Sequence, residues 1–147
     1  MRNSLIVFVV TSLALGCAES SSTLTAPSTS SSSPVLSADA IAGTWTLESI
    51  QPAGRPDQAR PAGATYTLTL AEGRLSTRVD CNMCSGTFAL SGQTLTAGPA
   101  LACTRAACPT MSFENTYTSL LGGNSSVMLS QGTLVLSSER GVLRFTR

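Results

Sequence analysis

Four cysteines in two close pairs are the residues of this chain best placed to do chemistry. Cys81 and Cys84 are spaced Cys-x2-Cys, and Cys103 and Cys108 are spaced Cys-x4-Cys, with eighteen residues between the pairs. Three chemistries use such a set: disulfide bridging, tetrahedral zinc binding and dithiol redox exchange. The zinc reading fits the first half and the gap, and fits the x4 half less well. The redox reading needs the first cysteine at a helix N-terminus in a βαβ setting, whereas both flanks here read as strands. In an exported chain an even set of thiols is read first as disulfides. If Cys81 to Cys84 is extended, its ends lie about 10 Å apart on opposite faces, beyond the roughly 7 Å a bridge allows. Bridges between the pairs are therefore expected, as Cys81–Cys108 with Cys84–Cys103 or as Cys81–Cys103 with Cys84–Cys108. Either arrangement closes loops of about 20–28 residues, worth on the order of 3–4 kcal/mol each.

What is missing narrows the chemistry further. The 147 residues include no histidine, and all nine basic residues are arginine. Without histidine there is no Ser-His-Asp or Cys-His nucleophile and no His-containing metal site. No paired-carboxylate motif replaces them, and Asp80 beside Cys81 is the one close pair an enzyme could use. Formal net charge is +1, with no basic cluster, which argues against nucleic-acid binding.

The elements that must position these residues begin after two N-terminal segments. Residues 1–16 read as an export leader: Arg2, then an apolar run from Leu5 to Leu15 too short for a stable bilayer span. Ala14-Leu15-Gly16-Cys17 resembles a bacterial lipobox, with Ala14 where leucine is usual. That resemblance implies cleavage before Cys17 and lipid (palmitate among it) on this residue, a firm anchor at about 0.8 kcal/mol per buried CH₂. Residues 17–39 form a tether. Twelve of the 22 residues 18–39 are Ser or Thr, a composition that cannot offset its ordering entropy. Its typical reach is about 25 Å.

From residue 40 to 147 the pattern is that of one mainly β domain. Thr65–Leu70 alternates, with Tyr66, Leu68 and Leu70 on one face. Gly43–Glu48, Arg74–Val79, Thr87–Leu90, Thr94–Thr96, Val127–Leu129, Thr133–Leu136 and Val142–Phe145 read likewise, separated by turns at Glu72-Gly73, Ser91-Gly92, Gln131-Gly132 and Arg140-Gly141. Such strands imply a small antiparallel β-sandwich or partly open barrel. One segment keeps helical spacing instead. Phe113, Tyr117, Leu120 and Leu121 predict a packed α-helix over about 110–121, with Thr110 as N-cap and Gly122-Gly123 as its end. Asn82 is expected to bond backbone at a bend, and Arg105 to lie at the surface.

These residues resemble a known family. Gly43-Thr44-Trp45-Thr46-Leu47 is similar to the W-x-L opening of the META (HslJ-like) domain. Cys81-Asn82-Met83-Cys84-Ser85-Gly86-Thr87-Phe88 resembles its G-C-N-x-x-S-G-x-Y centre, and Thr104-Arg105-Ala106-Ala107-Cys108-Pro109 its T-x-M-A-C-P segment. Asp80 departs from the family's glycine and Ala106 from its methionine. Cys81 and Cys108 match the family's two cysteines, and Cys84 and Cys103 are an added pair. The resemblance therefore favours the nested pairing Cys81–Cys108 with Cys84–Cys103. It also implies a mostly β domain of bacterial envelope lipoproteins, with no catalytic residues to carry over.

The expectation is thus a lipid-anchored envelope protein of the outer membrane, facing the periplasm. It is read as a non-enzymatic structural or interaction module without cofactor or metal. Its partners would be the membrane, through Cys17, and an envelope protein or small ligand. A ligand-binding domain open at one end of the β-structure, or a four-cysteine zinc domain, are the alternatives.

Overall fold

A computed structural model describes residues 35–147. Cys17, the leader and most of the expected tether lie outside these residues. The tether's last stretch belongs to the fold: Leu36 packs against the core, and Ala38–Ile41 form a one-turn helix, α1. Ser37 caps it, its hydroxyl accepting the Ala40 N–H at 3.2 Å.

Ten strands come next: β1 (Gly43–Pro52), β2 (Gln58–Ala59), β3 (Tyr66–Ala71), β4 (Arg74–Val79), β5 (Asn82–Ser91), β6 (Thr94–Ala97), β7 (Ala102–Cys103), β8 (Gly123–Ser130), β9 (Thr133–Ser138) and β10 (Gly141–Thr146). The second helix, α2 (Met111–Leu121), lies between β7 and β8. Eight strands pair in the order β1-β3-β4-β5-β6-β8-β9-β10, all antiparallel, and β10 returns to β1. The two-residue strands β2 and β7 add to the flanks of β1 and β5.

The sheet thus closes into an eight-stranded barrel, where the sequence allowed a sandwich or a partly open barrel. The reason is the ten-residue β1. Its first half pairs with β3, from Gly43 opposite Leu70 to Thr46 opposite Thr67. Its second half pairs with β10, from Thr46 opposite Thr146 to Pro52 opposite Gly141. A bulge between Leu47 and Ser49 bends the strand between the two partners. Closure removes the open edges that β-proteins must otherwise protect.

The alternation read in the sequence sorts inside from outside. Trp45, Leu47, Tyr66, Leu68, Leu70, Leu75, Leu95, Leu134, Leu136, Leu143 and Phe145 fill the interior, each almost fully buried. An eight-stranded barrel is just wide enough for such side chains, leaving a packed core instead of a ligand chamber. Thr44, Thr46, Thr67, Thr69, Thr94 and Thr96 take the outward positions.

The two helices sit at opposite ends. α1 leads into β1 at the Gly43–Leu70 end, and the Trp45 indole donates to the Ile41 carbonyl at 2.8 Å. α2 covers the end where β3 begins and β4 finishes. There Tyr117 stacks edge-on against Tyr66 at 5.6 Å and Phe145 at 6.3 Å, and Phe113 against Tyr66 at 5.1 Å. Tyr117, Leu120 and Leu121 are buried as their spacing predicts, each worth about 1.5–3 kcal/mol on the hydrophobic scale. One helix thus packs at each end of the barrel.

Candidate functional site

Beneath the N-terminus of α2 the sequence gathers its motif residues into one polar cluster. Asn82, the first residue of β5, is 1% exposed. Its side-chain oxygen accepts the Ala106 N–H at 2.7 Å and the Thr104 hydroxyl at 2.9 Å. Its amide nitrogen donates to the Ala106 carbonyl at 3.0 Å and to the Glu114 carboxylate at 3.0 and 3.2 Å. Two protons and two lone pairs are thus all engaged, as a buried amide requires. The backbone bond expected of Asn82 exists, and it spans 24 residues instead of one bend. In this way Asn82 ties β5 to the loop before α2 and to α2 itself.

Glu114 is a partner that the motif residues alone do not announce. It is 6% exposed, in the first turn of α2, where the helix dipole favours a negative charge. Residues 114, 117 and 121 fall at i, i+3 and i+7, so the burial of this glutamate is readable from its spacing. Thr104 is a second such partner: its hydroxyl also accepts the Met83 N–H at 3.0 Å.

A second chain of bonds runs beside the first. The Tyr66 hydroxyl donates to Thr110 Oγ1 at 3.0 Å, and Thr110 donates to the Asp80 carboxylate at 2.7 Å. Thr110 stands at the N-cap position of α2 but makes no side-chain cap bond. Its hydroxyl is committed to Tyr66 and Asp80, which corrects the capping role expected of it. Burial pushes the Tyr66 phenol above its ordinary range, and the Asp80 and Glu114 charges add to the rise. Deeper in, Thr77 donates to the Thr67 carbonyl at 2.6 Å, so the Tyr117 hydroxyl donates to Thr77 at 2.8 Å. Full burial pushes the Tyr117 phenol further up than that of Tyr66.

The four cysteines frame this cluster as two disulfides. Cys81–Cys108 spans 27 residues and Cys84–Cys103 spans 19, so each contributes about 3 kcal/mol or slightly more through loop closure. The Asn82 amide nitrogen lies 3.1 Å from the Cys108 sulfur, which places the first bridge against the polar cluster. The second joins β5 to β7 at directly opposed positions. With these sulfurs paired, a four-cysteine zinc site has no free thiolates to use. Arg105 is exposed in the loop between β7 and α2, as expected.

Residues 38–147 match the sequence pattern of the META domain. The chain belongs to the META domain family. Two solved structures share its fold. An NMR structure of a protein from Burkholderia xenovorans aligns at TM-score 0.62 and 27% identity, over 75% of this chain and 85% of that one. A second protein solved by NMR aligns at TM-score 0.60 and 25% identity, over 76% and 94%. No curated protein matches the chain. Asp80 stands where the resemblance implies a glycine, and its backbone accommodates that reading. Asp80 has φ of 58°, in the left-handed region that glycine enters freely and aspartate tolerates. The aspartate adds a carboxylate that receives Thr110. The motif residues of the domain therefore bond one another across the barrel end and form a latch between β5, the loop before α2 and α2.

Outside the latch, a cleft of about 720 Å³ lies over β6, β8 and β9, lined by Thr94, Asn124, Ser125, Ser126, Ser137 and Arg140 among others. It is rich in hydroxyls. The Arg140 guanidinium at its rim also donates to the Gly122 carbonyl.

Proposed function

We propose that this META domain is the folded part of a bacterial envelope lipoprotein, held at the outer membrane by lipid on Cys17 and facing the periplasm. It acts there as a non-enzymatic structural or interaction module. The observation that carries the second half is the latch. Asn82, Asp80, Thr110, Tyr66 and Glu114, the residues with chemical potential in the motif, are spent on one another. A general acid or base needs a free path to a substrate, and Asn82 and Glu114 are 1% and 6% exposed. What the domain offers a partner is the outer surface of a closed, twice-bridged barrel. The lipobox-like run at Cys17 and the Ser/Thr-rich segment behind it support the anchored setting.

Membrane fractionation tests the anchor. The wild-type chain is expected in the membrane pellet, and Cys17→Ala in the soluble fraction. A Cys17→Ala chain that still pellets would remove the lipid reading. A small-ligand module is the second reading. The hydroxyl-rich outer cleft at Ser126, Ser137 and Arg140 supports it.

A further inference from the structure

Among the described residues, the two most exposed large apolar side chains share one place. Val35 is 82% exposed and Met128 is 66% exposed. Both line a groove of about 520 Å³ between the chain before α1 and the second half of β8, with Leu36, Ala40, Gln93 and Leu129. Among the described residues no charged side chain lines it; Asp39, exposed on α1, is not part of its wall. The apolar surface continues along the outside of the barrel. Met128 lies opposite Val135 on β9, and Val135 opposite Arg144 on β10. The outward positions of β8, β9 and β10 carry one charge, that of Arg144, and an outward acid comes only beyond it, at Glu48 on β1. Two other exposed methionines lack this setting: Met83 lies opposite Arg78, and Met111 begins α2 at the other end of the barrel.

The place where the chain enters the fold points to the occupant. The described residues begin at Val35, on the groove itself, and residues 18–34 separate it from Cys17. A Ser/Thr-rich segment of that length spans about 20–25 Å, so lipid on Cys17 keeps this rim within that distance of the leaflet. At such a distance the effective concentration of the surface is high, and a contact too weak to recruit a free protein becomes populated. We propose that this face rests on the phospholipid leaflet that holds Cys17. Val35 and Met128 enter the boundary between headgroups and acyl chains, and Arg144 meets lipid phosphate. The two apolar side chains gain by leaving water, while the guanidinium keeps its charge at headgroup level. The groove brings no ion that docking must desolvate. The proposal rests on the lipid reading of Cys17 and adds an orientation to it: the α1 rim faces the leaflet and the α2 end points away.

Vesicles of phosphatidylethanolamine and phosphatidylglycerol are the probe, with and without bromine on the upper acyl chain. The lipidated full-length chain is reconstituted into them. Met128→Trp reports the proposed face and Met111→Trp the α2 end; native Trp45, 1% exposed inside the barrel, is a constant background. Flotation with the vesicles reads the anchor separately. Bromine should quench Met128→Trp at least about threefold more than Met111→Trp, since an interfacial side chain reaches about 5–10 Å into the boundary. Its emission should also shift to shorter wavelength. Arg144→Gln in the Met128→Trp chain should weaken the quenching; unchanged quenching would overturn the role given to Arg144. Chains that float but quench equally at the two positions would keep the anchor and overturn the docking. An emission shift that grows with protein density and ignores bromine would put a second copy on this face and overturn it as well. A chain that does not float would overturn the anchor and the docking together.

Discussion

At the scale of single residues, the latch turns on Asn82 being an amide. It accepts from Ala106 and Thr104 while donating to both the Ala106 carbonyl and Glu114, two acceptor and two donor positions that a carboxamide supplies together. Asn82→Asp keeps the acceptors but sets a carboxylate against Glu114, with no donor left between them. The expected cost is about 3 kcal/mol in urea unfolding, the range for a buried polar group left unsatisfied or facing like charge. Adding Glu114→Gln returns a donor to the pair. The double variant should recover roughly half of the loss. A double variant no more stable than Asn82→Asp alone would mean that Glu114 is not the partner that matters.

At the scale of elements, closure depends on one glycine. Gly141 starts β10 at φ 145°, opposite Pro52. A Cβ there would meet the Gln51 carbonyl oxygen and lie 2.8 Å from the Pro52 Cα, both backbone atoms that cannot swing away. Gly141→Ala should therefore spread β1 from β10 and destabilise the barrel by about 2–4 kcal/mol, near the upper end for single substitutions. Gly54→Ala is the control, since its Cβ would meet nothing within 4 Å. It keeps only the backbone penalty of φ 70°, about 1 kcal/mol. Thermal unfolding of the two variants separates crowding from conformation. A Gly141→Ala protein as stable as Gly54→Ala would contradict the tight seam.

The same scale shows what the sequence can and cannot say. The eight barrel strands are legible because period-two patterns such as Tyr66, Leu68 and Leu70 stop at glycine turns. Helix α2 is legible because Phe113, Tyr117, Leu120 and Leu121 keep one face. β2 and β7 escape, since two residues cannot show a period and their pairing is set by partners far along the chain. Helix α1 reads as tether because Ser37 and Asp39 extend a serine-rich run; Leu36 and Ile41 anchor it only once a barrel exists to receive them. Closure is illegible for a related reason. The pairing of Thr46 with Thr146 joins residues a hundred positions apart, and alternation is the same in an open and a closed sheet. In the latch, Asn82 stands out in the sequence but its reach does not, because a hydrogen bond across the barrel leaves no local trace. Position alone gives Thr110 the commonest task of a helix start, and the tertiary partners Tyr66 and Asp80 claim its hydroxyl instead.

At the scale of the whole molecule, the two buried phenols predict an alkaline limit. Tyr66 and Tyr117 both hold their protons more tightly in the folded barrel than in the unfolded chain. A group with a raised folded pKa stabilises fully below its unfolded value and loses that contribution as pH rises above it. For tyrosine the loss begins at about pH 10. Urea unfolding should show level stability from neutral pH to about pH 10, then a steep fall. Tyr117→Phe should flatten the fall, at a cost of about 1 kcal/mol at neutral pH for the bond to Thr77. An alkaline limb unchanged in Tyr117→Phe would assign the transition to other groups.

The seam between β1 and β10 has one more consequence. Thr146 lies opposite Thr46, and the Arg147 guanidinium stacks over Trp45 at 4.1 Å and donates to the Ala42 carbonyl. The barrel's first and last strands therefore leave the fold side by side, about three or four residues apart along one edge. Order along the chain is then a detail of synthesis and not of architecture. A permuted gene could join residue 147 to residue 42 through a short glycine linker and begin instead at Gly132. That residue sits in an open turn where a side chain would touch nothing within 4 Å. Such a chain keeps every strand pair and every bridge. Its tether could then be moved to the hairpin between β8 and β9, two strands along the same rim, where the Arg147 N–H bonds the Gly132 carbonyl at 3.0 Å.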